Sequence, residues 1–237
     1  LSREKKTKLD LNRIVFIGRT FDEYLDMFAL SKAKIQGRRI LDCPAGACSF
    51  TAIGNSLGAE VTACDIAYDH RGEDLKQKGL QDIEHAAEHI MKAEGNYEWG
   101  YIHSVEDLKS RRTQALHDCS EDMYNSGGRY VPAVLPVLPF EDSTFDTVLS
   151  AHFLFMYADR LSYDFHIDTL TELLRVAKEE VRIFPLVDLK GDRYEHLDAV
   201  IEYLTSEGHI VEEVAASYEF QRNANSFLRI TKSSPGN

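Results

Sequence analysis

The stretch RRILDCPAGACSF, residues 38–50, decides how the chain is read. Apolar Ile40 and Leu41 lead through Asp42 into a run of small residues, and Phe50, Ile53 and Leu57 then recur at helical spacing. A short strand, a turn and a helix follow from that pattern, with Gly58 placed to stop the helix. Residues 60–65, EVTACD, form a second strand and close a β-α-β unit of roughly thirty residues. In sheets built from such units, ligands sit beyond the carboxyl ends of the strands.

The turn holds a single glycine, Gly46, where a dinucleotide-binding turn needs G-x-G-x-x-G. Asp42, at the strand end, would repel a pyrophosphate and is better matched to a ligand with an ammonium group. The turn amides and the helix N-terminus favour a carboxylate. Asp65, about twenty residues further on, is spaced to accept the hydroxyls of a ribose. S-adenosylmethionine (SAM) carries all three groups. Pro44, Ala45 and Ser49 complete the expected cradle, and Cys48 is small enough for the helix to pack on the strand.

Beyond residue 65 the rhythm changes. Residues 66–128 carry long, polar helical patterns with two apolar stripes: Ile83, Ala86, Ala87, Ile90 and Met91, then Leu108, Ala115, Leu116, Cys119 and Met123. Between them lies NYEWGYIHS, residues 96–104, with the only tryptophan, Trp99. After Gly127-Gly128 the chain turns apolar, and residues 145–151, FDTVLSA, form the clearest strand. A helix through Leu170, Leu173, Leu174 and Ala177 leads to a strand at 181–184. Another helix, through Leu197 to Leu204, ends at Gly208 and precedes strands at 210–220 and 226–232. Upstream, Thr20 and Glu23 make a capping box opening a helix over 21–33, and residues 1–13 are basic and polar. No internal repeat or low-complexity segment is present.

Three stretches resemble the class I SAM-dependent methyltransferases. Leu41 to Cys48 resembles their first motif, although Pro44 and Cys48 stand where the family has outer glycines. Asp65 matches the acidic residue ending their second strand. Leu138-Pro139-Phe140-Glu141-Asp142-Ser143-Thr144-Phe145-Asp146 is similar to the L-P-F-x-D-x-x-F-D run of the small-molecule members, and Ser150 to Leu154 follows as it does there. The resemblance implies a Rossmann-like, doubly wound α/β fold. Its mostly parallel sheet has seven strands, an antiparallel C-terminal edge hairpin, and here a helical insertion between strands 2 and 3. It implies SAM as cofactor and S-adenosylhomocysteine as product. Asp42, Pro44, Ala45, Gly46, Ser49, Asp65, Ile66, Pro139, Phe140, Ala151 and His152 are the expected cofactor residues. No carboxylate stands near the third strand for the adenine, so apolar walls such as Ile66 are expected to hold it.

Methyl transfer needs alignment, and a base only if the acceptor loses a proton. His152 is the candidate, with Tyr157 and Asp159 behind it. The single domain, 1–237, is expected to use 66–128 as a lid. Arg19, Tyr24 and Phe28 on the N-terminal side, and Tyr97, Trp99 and Tyr101 in the insertion, are candidates for closing over cofactor and acceptor. His85, Glu88 and His89 fit the H-x-x-E-H zinc-protease spacing, but fall opposite the Ile83 stripe, so no metal is expected.

The net charge of −12 and pI near 5.2 argue against a nucleic-acid partner. A small-molecule acceptor is therefore the expected partner. A non-catalytic SAM sensor or scaffold, and a methyltransferase acting on RNA or protein, are the alternatives, the RNA case opposed by charge. The four cysteines form no C-x-x-C pair, and no apolar run reaches membrane-spanning length, so a reducing, cytoplasmic setting is expected.

Overall fold

A computed structural model of the chain describes residues 11 and 14–233. The basic stretch 1–13 lies, apart from Leu11, outside the described residues. Seven strands form one sheet: β1 (Arg39–Asp42), β2 (Glu60–Asp65), β3 (Tyr130–Pro132), β4 (Phe145–Ala151), β5 (Ala177–Phe184), β6 (Ile210–Ala215) and β7 (Ser226–Thr231). Their order is β3-β2-β1-β4-β5-β7-β6. Pairs from β3 through β5 are parallel, and β7 runs antiparallel to both β5 and β6. The expected doubly wound sheet with its antiparallel C-terminal hairpin is what the chain forms. The strand order reverses between β1 and β4, so their carboxyl ends open the crevice where ligands bind in such sheets.

Alternation along the strands assigns the two faces. Leu41, Val148, Ile183 and Leu228 pack on helices α6 (Tyr163–Val176) and α7 (Leu197–Ser206). Their chain neighbours Ile40, Leu149, Phe184 and Phe227 point the other way, into a second core with Phe21, Tyr24 and Phe28 of the N-terminal segment and with Phe50 of α3 (Phe50–Ser56). A third cluster joins Ile14 and Phe16 to Ala47 and to the inserted helices α4 (Gly72–Lys92) and α5 (Val105–Asn125).

Three elements differ from the sequence reading. The helix over 21–33 is two pieces, α1 (Phe21–Met27) and α2 (Lys32–Ile35). Ala29 adopts a left-handed φ of 50°, and Ser31 starts the second piece by accepting from the Lys34 N–H. Ala177 belongs to β5 rather than to the preceding helix. The strand expected over 210–220 stops at Ala215 because the next backbone bonds go elsewhere. Ser217 N–H donates to Asp26 O, Phe220 O accepts from Glu98, and Arg222 N–H donates to Asn96 O. That diversion carries Tyr218, Phe220 and Gln221 toward the crevice. Among the described residues no helix is long and apolar enough to cross a membrane.

Candidate functional site

Two cavities meet above β1 and β4. The first, about 460 Å³, is walled by Pro44, Ala45, Gly46 and Cys48 from the turn, Asp65 and Ile66 at the end of β2, and Ala151 and His152 at the end of β4. Phe153, Met156 and Tyr157 continue that last wall, and Ile14 to Arg19 supply the opposite rim. The second, about 180 Å³, is roofed by Ile83, Ala86 and Ile90 of α4 and by Leu108 and Arg112 of α5. Tyr97, Tyr218 and Phe220 close its side. Ile17, Arg19, His152 and Met156 border both cavities.

The N-terminal segment 14–19 lies directly across the turn. Gly46 has a φ of +54°, and a Cβ there would come within 2.8 Å of Ile17 O. At Gly18 a Cβ would sit 2.0 Å from the carbonyl carbon and oxygen of Ala47, so no other residue fits. Gly46 therefore serves the approach of a neighbouring chain segment. The segment is pinned at Phe16, whose N–H donates to buried Asp82 (2.8 Å), itself paired with Lys78.

This strap changes the electrostatics of the turn. Every N–H from Cys43 to Ser49 is spent on the protein: Cys43 on Leu149 O, Ala45 on Cys64 O, Gly46 on Asp65, Ala47 on Ile17 O, Cys48 on Ala45 O and Ser49 on Arg19 O. Pro44 has none. The anion-binding amides expected from the sequence are already paired. A free donor nearby is half-buried Arg19, whose Nε has no partner among the described residues.

Asp42 is fully buried beneath the turn rather than on a cavity wall. Its Oδ1 accepts from the Tyr24 hydroxyl (3.0 Å), and Oδ2 has no partner among the described residues. Burial raises its carboxyl well above the usual range, only partly opposed by Tyr24. Asp65 accepts from Gly46 N–H (2.9 Å) through one oxygen and from Ala67 N–H (2.8 Å) through the other. Burial outweighs both bonds and raises it as well. Each oxygen keeps a lone pair for a further donor.

His152 stands where β4 ends, with φ +53° and its N–H donated to Phe184 O at 2.7 Å. A left-handed β4-terminal histidine is uncommon and costs of order 1–3 kcal/mol. Both ring nitrogens are shielded from solvent and unpartnered among the described residues. Burial, then the charges of Arg19 and Arg112, hold its pKa well below 6.5.

Several expected site residues lie elsewhere. Tyr24 and Phe28 are core: Tyr24 stacks on Phe50, and Phe28 packs edge-on against Tyr24 and Phe184. Ser49 is buried and precedes α3 without a side-chain capping bond. Pro139 is exposed, and Phe140 packs edge-on against Phe145, so neither borders the first cavity. Trp99 packs edge-on against Phe220, and Tyr101 donates to Asp26 (2.7 Å) beside Tyr218. Asp159 is exposed and paired with Arg160. His85, Glu88 and His89 are exposed on α4, away from buried Ile83 and Ala87.

Arg112 was not legible as a site residue. It is 4% exposed, and its Nη1 donates to both oxygens of fully buried Glu23 at 2.9 Å. The same carboxylate accepts from Thr20 N–H, the Thr20 hydroxyl and the Tyr218 hydroxyl. Burial would raise Glu23, but Arg112, Arg19 and these bonds prevail and hold it below the ordinary value. The signal was present: 112 completes the stripe Leu108, Ala115, Leu116, Cys119, and a charge inside an apolar stripe asks for a buried partner.

The sheet order and crevice define the fold of class I SAM-dependent methyltransferases, and solved structures agree. The chain matches magnesium protoporphyrin IX methyltransferase from Synechocystis, crystallised with bound SAM, at a TM-score of 0.51 and 13% identity, over 90% of this chain and 78% of that one. It matches phosphoethanolamine N-methyltransferase 1 of Haemonchus contortus at 0.51 and 12%, over 92% and 43%. A putative SAM-dependent methyltransferase of Methanococcus maripaludis matches at 0.50 and 12%, over 91% and 84%. No protein-family model matches the chain. It is 32% identical over 225 residues to the uncharacterized protein MJ0045 of Methanocaldococcus jannaschii, covering 94% of this chain and 99% of the relative. The chain belongs to the family of that archaeal protein.

Proposed function

We propose that the protein is a SAM-dependent methyltransferase acting on a small-molecule acceptor. The observation that carries this reading is convergence: Pro44, Ala45, Gly46, Asp65, Ile66, Ala151 and His152, from three separated stretches, wall one cavity. SAM, when bound, supplies an electrophilic methyl on a sulfonium and leaves as S-adenosylhomocysteine. Asp65 takes the ribose hydroxyls through its outer lone pairs, and Ile66 lies against the adenine. The methionyl carboxylate falls to Arg19, since the turn amides are paired. Asp42, beneath the turn, supplies negative charge to the ammonium group from behind the cavity wall.

The second cavity, sharing His152 and Arg19 with the first, favours an enzyme over a sensor. A sensor needs one ligand site, whereas transfer needs an acceptor held in line with the methyl group. Its roof comes from α4 and α5, so residues 66–128 act as the lid over the acceptor. The acceptor space is small and enclosed, which favours a metabolite over RNA or a protein.

His152 is the proton acceptor of this arrangement. Its depressed pKa keeps the imidazole neutral, hence able to accept, throughout the physiological range. At saturating SAM the rate should therefore be flat from about pH 7 to 8 and should fall only in acid, well below 6.5. Stability follows the same sign. Neutral His152 costs nothing above the unfolded value near 6.5, and stability falls as pH drops below it, because only the unfolded chain then takes up the proton.

Calorimetry with SAM and S-adenosylhomocysteine tests the cofactor, and absence of binding at high micromolar ligand would overturn the reading. For an acceptor that must lose a proton, His152→Gln should lower turnover about 10²–10⁴-fold with SAM affinity nearly unchanged. A parallel loss of SAM binding would instead make His152 part of the cofactor cradle only.

A further inference from the structure

We infer that the second cavity is built for an acceptor carrying a carboxylate on a small apolar body, with Arg112 as the group that grips it. This rests on the methyltransferase reading above for the word acceptor; the anion site itself rests on the cavity.

Four features lead there. First, Arg112 is buried, lines the second cavity and not the first, and its Nη2 has no hydrogen-bond partner among the described residues. A buried guanidinium nitrogen left without an acceptor is costly, and a bound anion removes that cost. Second, among the described residues no aspartate or glutamate lines the cavity. Behind it, Glu23 has both oxygens spent on Arg112 Nη1, Tyr218 and Thr20. The Arg112–Glu23 pair thus leaves a guanidinium N–H, and no described carboxylate oxygen, for the cavity.

Third, the other polar side chains at its border leave the guest's anion to Arg112: Arg19 serves the cofactor carboxylate, and Gln221 spends its Nε2 on Asp188 O. Fourth, Ile83, Ala86, Ile90, Leu108 and Phe220 make the rest of the wall apolar. At about 180 Å³ the space suits one ring or a short branched chain; a cavity of about 150 Å³ holds a benzene-sized guest. Polyanions such as nucleotides are too large, and a neutral amine or alcohol alone would leave Nη2 without an acceptor. With the carboxylate anchored on Arg112, the remainder of the guest extends toward His152, the residue common to both cavities.

Benzoate and its uncharged isostere benzamide are suitable probes. Each is titrated into the wild-type protein, with and without saturating S-adenosylhomocysteine, and followed by ligand-observed NMR. Benzoate should bind at millimolar or lower concentration and at least tenfold more tightly than benzamide, and Arg112→Lys should weaken it several-fold. Because Arg112→Gln alone strands the Glu23 charge, the double variant Glu23→Gln/Arg112→Gln is the folded control. It should lose the preference for benzoate while its affinity for S-adenosylhomocysteine stays within a few-fold. Equal binding of the two probes, or no benzoate binding by protein that does bind S-adenosylhomocysteine, overturns the anion site alone. Arg112-dependent benzoate binding by protein that ignores S-adenosylhomocysteine upholds the site and overturns the methyltransferase reading instead.

Discussion

Asp42→Asn should make the protein more stable at neutral pH and nearly unable to bind SAM. The two effects share one cause. Asp42 is fully buried with one oxygen unpartnered among the described residues, and burial raises its pKa well above 3.8. A folded-state pKa raised above the unfolded one gives stability that is complete below the unfolded value and lost as pH rises through the folded value. Asparagine keeps an oxygen for the Tyr24 hydroxyl and removes the charge, so its melting temperature should exceed that of the wild type at pH 8 and converge on it in acid. Binding runs the other way. A ligand ammonium group above the turn favours the ionised carboxylate, so SAM should bind more tightly as pH rises and should release a proton on binding. Calorimetry in buffers of different ionisation enthalpy counts that proton. In Asp42→Asn the affinity should fall at least about 100-fold, the scale of an uncompensated buried charge contact, and the proton release should vanish. Unchanged affinity would place the ammonium group elsewhere. A lower melting temperature at pH 8 would mean that Asp42 is a structural acceptor.

The sheet was legible because each of its main strands is written in period two and each crossover helix in period 3.6. Ile40 and Leu41, or Val148 and Leu149, must face opposite ways, and that alternation fixes two helical layers without knowledge of the pairing. That the turn, Asp65 and His152 would meet at one crevice was legible for a local reason: all lie within a few residues of strand ends. The strap was not. Residues 14–19 make no regular element, and their role depends on Gly18 meeting Ala47, twenty-nine positions away, for which sequence carries no periodic signal. The same blindness misread the turn amides as free. The wall of the second cavity escaped the sequence for a different reason. Tyr218, Phe220 and Gln221 sit in what alternation read as a strand, until bonds to α1 and to Asn96 and Glu98 pulled the backbone away from the sheet. Long-range contacts overrode local preference there.

Glu23→Ala should produce the largest loss of stability from a single substitution near the site. Glu23 is wholly buried and ties three distant parts of the chain together: the start of α1 through Thr20, α5 through Arg112, and the loop after β6 through Tyr218. Removing it leaves the Arg112 guanidinium buried without its partner and two hydroxyls without an acceptor. Breaking a buried ion pair from one side costs about 3–5 kcal/mol, which for a chain of this size lowers the melting temperature by roughly 6–20 °C. The loss should be recovered in part by Glu23→Ala/Arg112→Met, since replacing both charges by apolar groups removes the stranded one. The pH dependence carries a second signature. The folded-state pKa of Glu23 lies below 4.5, so its contribution is present above the unfolded value and fades as pH falls through the folded one. Wild type and Glu23→Ala should accordingly draw together in strong acid. Thermal melts of the three proteins across pH decide it. Equal melting of wild type and Glu23→Ala at neutral pH would mean that Arg112 finds solvent or another acceptor when Glu23 is gone, and the roof of the second cavity would then be looser than its burial indicates.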